Sequence, residues 1–351
     1  LDVNSFYTWA AMSGVVPRIA VNNGYCFAGN AALFGCADFT IATRSSWIGM
    51  AGPAMIEGGG LGKFQPTDIG PIEVQEKNGV VDIVADDEAD ATRIARQLLS
   101  YFQGPVVDWK AAPQEALRDM VPEDRRWGYP VRRIIETIAD EGSFLELRRI
   151  YGRGIITGFI RLEGRAVALV ANDCQQLGGA VDAEASDKAA RFLRTCNAFG
   201  LPVLSLTDTP GFMVGPASEE QAAVRRMSDL FLAGAAMTVP VVAIFLRKGY
   251  GLGAMAMTGG SFARPVYAAS WPTGEFGGMG LEGAVRLGFS KELEAVADPD
   301  EREALFNKLV AESYEAGKAI EAATYLELDA VIDPADTRSV ILRALAAGTS
   351  Q

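Results

Sequence analysis

TVPVVAIFLRKGYGLGAMAM, residues 238–257, begins as a β-branched apolar run and ends in glycine and small residues. The stretch Val241–Leu246 has no polar residue, as a strand buried on both faces requires. Gly249, Gly251 and Gly253 then fall within five residues, and the chain turns to Ala and Met. Small residues between a strand and a helix start let the backbone adopt φ > 0 and approach a ligand closely. They also leave the first-turn N–H groups without intrahelical partners.

A second copy of this pattern lies near the N-terminus. GVVPRIAVNNGYCFAGNAALFG (14–35) and MTVPVVAIFLRKGYGLGAMAMTG (237–259) share Val-Pro, an apolar strand, Gly-Tyr and a small-residue turn into a helix. Such a repeat implies a pseudo-duplicated architecture. Outward from the first copy, residues 16–22 read as a strand, AALFGC as a helical patch and DFTIAT as a second strand. Residues 51–80 read as loop, and 86–102 as a helix with an acidic first turn. Residues 103–130, rich in Pro, Trp and charge, read as a linker. Beyond them, RAVALVAN and LPVLSLTD read as strands, and 182–200 and 218–237 as helices, the first with Gly200 at its C′ position. Strand–helix alternation at this spacing predicts an α/β fold with a mostly parallel sheet. Sites in such sheets lie beyond the strand C-termini, where the glycine turn sits.

Composition narrows the chemistry. With 49% hydrophobic and 22% charged residues over 351 positions, the chain can fill a core and is long enough for two domains. No apolar run approaches the ~18–20 residues of a membrane span. No basic n-region precedes an apolar h-region, so a cytoplasmic location is expected, or the mitochondrial matrix in a eukaryote. The first residue is Leu1, mid-pattern, as expected of a trimmed chain. A net charge of −12 argues against nucleic acid or an anionic membrane as partner. Cys26, Cys36, Cys174 and Cys196 form no CxxC pair, so neither a zinc ribbon nor a disulfide framework is expected. The acidic runs ADDEAD and DPDERE read as solvated helix starts rather than metal sites. There is no histidine. That removes Ser-His and Cys-His nucleophiles, His general bases and most catalytic zinc sites.

Three readings of the glycine turns compete. A phosphate cradle lacks support, because GYGLGA has neither the Lys-Ser/Thr ending of a P-loop nor the third Gly of a dinucleotide fingerprint. An ordinary tight turn explains either copy alone. Paired backbone amides forming an oxyanion hole need no side chain, which suits a histidine-free chain.

RLEGRAVALVANDCQQLGGAVDAEASDKAARFLRTCNAFGLPVLSLTDTPGFMVG (161–215) resembles the carboxyltransferase (β) subunits of biotin-dependent acyl-CoA carboxylases. So do AASWPTGEFGGMGLEGAV (268–285) and GKAIEAATYLELDAVIDPADTR (317–338), with TDTPGF and VIDPADTR as the specific motifs. The resemblance runs from about Phe6 to Leu345. It implies two crotonase-like (ClpP/crotonase superfamily) β-β-α superhelix domains. Here these would be a partial N-terminal domain (1–103), the linker (104–130) and a C-terminal domain (131–351), the early part of the family's N-domain being absent. It further implies a homo-oligomer, a dimer with one chain's N-domain facing the partner's C-domain, and commonly a hexamer. Carboxybiotin arrives on a separate biotin carrier or biotin carboxylase subunit, and coenzyme A arrives with the acyl substrate. No metal is expected in this subunit.

By this resemblance an amide pair at Ala28 and Gly29 stabilises the thioester enolate, and a pair at Leu252 and Gly253 holds the biotin ureido oxygen. The Gly-Tyr alignment of the two copies would move the second pair to Gly253 and Ala254. Gly251, Ala254 and the glycine-rich Gly278, Met279 and Gly280 are expected to border the cofactor, and Asp208 and Gly211 to shape the adjoining loop. Ala28 and Leu252 stand where relatives carry glycine, which is harmless while φ there stays negative. Met255 occupies a position tied in relatives to acyl-chain choice; core packing is the plainer reading. AMAM (254–257) has no Lys, so biotin is not carried on this chain. A decarboxylase or transcarboxylase subunit, or a homologue without activity, carries the same motifs.

Overall fold

The computed structural model describes residues 3–348. Three parallel strands, β1 (Ile19–Phe27), β2 (Phe39–Gly49) and β3 (Ile83–Ala85), form a small sheet in that order. The larger sheet comprises β4 (Leu145–Leu147), β5 (Ile155–Leu162), β6 (Arg165–Asn172), β7 (Val203–Thr209), β8 (Val241–Tyr250), β9 (Tyr267–Ser270), β10 (Glu275–Gly277) and β11 (Ala330–Val331). Its order is β11-β9-β8-β7-β6-β5-β4, with β10 pairing β8 off that path. From β6 to β11 every pairing is parallel, as the alternation predicted.

The apolar runs are explained by two covered faces. Val203 and Val241 pack with Ala189, Leu193, Leu230 and Ala233 of the helices Ala183–Ala198 and Ala223–Ala235. Their strand neighbours Leu204, Val242 and Ile244 face the opposite layer, with Ile134, Ile138 and Ile341 from Val131–Ile138 and Thr337–Gly348. Each such buried aliphatic side chain contributes ~1.5–3 kcal/mol over its exposed state. Residues 104–130 run along this second layer, burying Leu117, Val121 and Tyr129.

Several local readings change. β4, β5 and β6 are antiparallel, and β5–β6 is a hairpin whose turn residues Glu163 and Gly164 both have positive φ (51° and 75°), the type I′ pattern. Residues 51–80 are not all loop: they hold the helices Pro53–Gly58 and Ile72–Lys77, each begun at a proline that cannot continue a strand. The helix expected over 218–237 is broken, because Ala222 adopts a left-handed conformation (φ 57°) between Pro216–Glu219 and Ala223–Ala235. The other two expected helices form as Glu88–Ser100 and Ala183–Ala198, capped by Asp87 and Asp182, and Gly200 (φ 69°) follows the latter. Within that helix Lys188 is buried and donates to the carbonyls of Arg148, Tyr151 and Ile155 at 2.9, 3.1 and 2.6 Å. Burial pushes its pKa down to about 7.

Among the described residues no helix is long and apolar enough to cross a membrane.

Candidate active site

β8 shifts register before it ends. Through Phe245 it pairs β7 and β9; past the shift Gly249 pairs Thr209 of β7, and Lys248–Tyr250 pair β10. The helix Gly251–Met257 starts immediately after. Each glycine of the opening stretch has a separate cause. A Cβ on Gly249 would lie 2.8 Å from the Phe276 ring. Gly251 has φ +57°, and a Cβ there would sit 2.7 Å from the Gly278 carbonyl oxygen. A Cβ on Gly253 would meet the backbone of Gly211 and Phe212 at 2.6–2.8 Å. The turn is thus gripped between the loop after β7 and the loop after β10. Tyr250 closes this grip, its buried hydroxyl donating to Glu275 Oε2 at 2.7 Å. Burial, with the Glu275 carboxylate beside it, pushes the Tyr250 phenol well above its ordinary range, so it remains a donor.

The N–H groups of Leu252 and Gly253 fall in the helix's first turn, where no i−4 carbonyl exists. The Leu252 side chain is 62% exposed, while Gly253 and Ala254 are buried. Gly278 and Met279 are exposed beside the turn, and Gly280 is the N-cap of the helix Leu281–Gly288. A cavity of about 650 Å³ opens next to them, lined by Gly251, Met255, Phe262, Phe276, Ala322 and Leu326. It is chiefly apolar.

The first copy has the same construction. β1 ends at Phe27, Ala28 turns the chain with φ 55° and ψ −123°, and the helix Gly29–Gly35 begins. The end of β2 runs beside it, Tyr25 opposite Trp47 and Phe27 opposite Gly49. Gly52 caps the following helix, Pro53–Gly58, as Gly280 does in the second copy. Met50, Ala51 and Gly52 therefore correspond to Gly278, Met279 and Gly280, a match masked in the sequence by different side chains.

Two corrections follow. The backbone matches Ala28 to Gly251 and Gly29 to Leu252, two residues away from the Gly-Tyr alignment, because β1 runs two residues further past its tyrosine than β8 does. Second, φ at Ala28 is positive, not negative. Ala28 N–H also donates to Gly49 O at 3.1 Å, which leaves Gly29 and Asn30 with the unpaired first-turn amides. A non-glycine residue at this φ costs on the order of 1–3 kcal/mol, and glycine's extra chain entropy offsets ~0.5–1 of it. Ala28→Gly is therefore expected to raise unfolding stability by ~1 kcal/mol. An unchanged thermal midpoint would refute the strain.

Within one chain the structure brings Gly251–Met255 and Gly277–Gly280 together, and no hydrogen bond among the described residues joins the two turns. Asp208 and Gly211 lie at the β7 end, Gly211 against Gly253. Cys26, Cys174 and Cys196 are buried free thiols and Cys36 is exposed. Among the described residues no His/Cys/Asp/Glu group is disposed to hold a metal.

Residues 3–351 match the carboxyl transferase domain family. The chain belongs to that family. It is 36% identical over 352 residues to the 12S subunit of methylmalonyl-CoA carboxyltransferase from Propionibacterium freudenreichii subsp. shermanii, covering 97% of this chain and 66% of that one. Among solved structures, a single-chain, multi-domain long-chain acyl-CoA carboxylase superposes with a TM-score of 0.92 at 57% identity, over 98% of this chain and 35% of that one. The transcarboxylase 12S hexamer with methylmalonyl-CoA bound superposes at 0.89 with 34% identity, over 99% and 68%. The carboxyl transferase fold thus accounts for the paired sheets and turns. The chain spans about two thirds of the first relative and about a third of the second.

Proposed function

We propose that this carboxyl transferase chain moves the carboxyl group of carboxybiotin to the α-carbon of an acyl-CoA, within a biotin-dependent acyl-CoA carboxylase. The observation that carries this reading is the matched pair of turns, each a positive-φ residue that starts a helix whose first amides have no partner. Carboxybiotin, delivered by a separate carrier, supplies the carboxyl group and the base. The fit is physical: the Leu252 and Gly253 amides are donors for a ureido oxygen, and Gly251, held bare by the Gly278 carbonyl, leaves the backbone accessible. Gly29 N–H, with Ala28 setting the turn, donates to the thioester oxygen as negative charge develops there. Ala254 and the Gly278–Gly280 loop border the cofactor. An amide of this kind is worth ~3–4 kcal/mol of transition-state stabilisation.

The two turns are proposed to meet across a homodimer of crotonase-like halves, repeated in a hexamer as in the 12S relative. Exposed apolar side chains beside both turns support this: Tyr25, Met50 and Met55 near the first, Leu252, Met279 and Leu326 near the second. Free thiols fit a reducing, cytoplasmic setting. The same half-reaction serves a transcarboxylase, and identifying the biotinylated partner separates the two.

For substrate, we favour a long acyl chain. Met255 lines an apolar cavity rather than a polar one, and the relative at 57% identity is a long-chain acyl-CoA carboxylase. With a biotinylated carrier, kcat/KM is expected to rise about tenfold or more from propionyl- to palmitoyl-CoA, each buried methylene adding favourable transfer energy. Met255→Asp should erase that rise by placing a charge in the cavity. A flat or falling profile rejects the long-chain assignment. No turnover on any acyl-CoA with carrier present rejects the function.

A further inference from the structure

We infer that Asp208 is a positioning residue: its carboxylate pins the corner at which β8 shifts register against β7, and so aims the Tyr250–Gly253 turn. Between Thr207 and Thr209 β7 advances two residues, while β8 advances four, from Phe245 to Gly249. Successive side chains of a regular strand point to opposite faces. Here Arg247 and Lys248 are consecutive, yet both reach one carboxylate: Arg247 Nη2 lies 3.1 Å from Asp208 Oδ2 and Lys248 Nζ lies 2.9 Å from Oδ1. The alternation is therefore broken at this point, as in a bulge. Lys248 N–H also donates to Asp208 Oδ1 at 3.1 Å, so the same oxygen holds both backbone and side chain.

The anchor is itself fixed. Asp208 N–H donates to Asn172 Oδ1 at 3.1 Å, Arg247 Nη1 donates to Trp127 O at 2.9 Å, and the Arg247 guanidinium lies over the Tyr129 ring. Asp208 and Arg247 are 1% and 3% exposed. The register shift of the first copy, where β2 advances from Ala42 to Ser46 against Asn22 to Gly24, carries only a solvent-exposed ion pair, Arg44 Nε to Asp86 Oδ1 at 2.8 Å with both side chains about 70% exposed. Thr43 Oγ1 donates to Asn23 Oδ1 at 2.7 Å and Ser46 Oγ to Asn22 O at 3.2 Å there. The buried charged grip belongs to the second turn.

Asp208→Asn alone leaves the buried Arg247 and the partly buried Lys248 facing no carboxylate and can fail to fold. Asp208→Asn with Lys248→Met keeps the net charge of the trio at +1, one acid and two bases becoming one base. Two measurements on the full chain with its carrier decide. In the double variant kcat should fall about 20-fold or more with KM for acyl-CoA held within about twofold, as misaimed amides predict. Hydrogen exchange at residues 249–253 should quicken about tenfold while β5 and β6 stay unchanged. Lys248→Arg, which still reaches the carboxylate, should keep kcat within about threefold. Native kcat with native exchange overturns the inference, and so does exchange that quickens throughout the chain. The kinetic arm rests on the proposed function. If the unaltered protein transfers no carboxyl group, that function fails, and exchange at the turn alone decides the role of Asp208.

Discussion

Gly253→Ala is expected to lower carboxyl transfer about 100-fold or more, the loss associated with one misplaced oxyanion donor. A methyl group there would lie 2.6 Å from Gly211 C and 2.8 Å from Phe212 N. Those atoms have little room to retreat, because Gly211 N–H donates to Thr209 Oγ1 at 3.1 Å and Gly211 O accepts Val181 N–H at 3.0 Å. The helix Gly251–Met257 must shift instead, carrying the Leu252 and Gly253 amides with it. Gly253→Pro adds removal of the donor itself and should leave no measurable transfer. Binding of free coenzyme A, which has no acyl chain to reach the Met255 cavity, should stay within about twofold by calorimetry, since the first turn is untouched. Gly288→Ala is the control, its added methyl meeting nothing within 4 Å. If Gly253→Ala keeps more than about a tenth of the activity, the amides at this turn do not hold the cofactor.

The parallel core and both glycine turns were legible because buried strands leave uninterrupted apolar runs and the turns leave glycine. The β5–β6 hairpin was equally written, in the Glu163-Gly164 step between two apolar runs, but βαβ alternation obscured it. The corner in β8 was not legible. Arg247-Lys248 reads as an ordinary polar strand end, and its meaning depends on Asp208, forty residues earlier in sequence and brought near by pairing. Ala28 misled for another reason: alanine signals negative φ, and only the pairing of Phe27 with Gly49 forces the turn on it. Side-chain identity reports local preference, and these sites are set by register.

Asp82→Ala is expected to cost ~3–5 kcal/mol, the usual penalty for breaking a buried ion pair from one side. Asp82 Oδ1 accepts from Arg148 Nε at 2.7 Å, and Oδ2 accepts from Thr40 N–H and Oγ1 at 2.7 and 3.0 Å. Both side chains of the pair are under 10% exposed. Arg148 N–H donates to Asp82 O at 2.7 Å, and Arg148 O accepts from Lys188. This relay joins β2, the approach to β3, the turn after β4 and the helix Ala183–Ala198. Truncation would strand a buried guanidinium and a Thr40 N–H together, which exceeds the net worth of the bonds themselves. The comparison is Asp86→Ala, whose partner Arg44 lies 2.8 Å away but with both side chains about 70% exposed; it should cost ~0.5 kcal/mol or less. Urea midpoints of the two variants measure the difference. Because Asp82 fastens the small sheet to the large one, exchange at 40–43 and 83–85 should quicken before that of β7 and β8. Equal losses in the two variants would mean that burial, not pairing, had been misjudged as the source of that attachment.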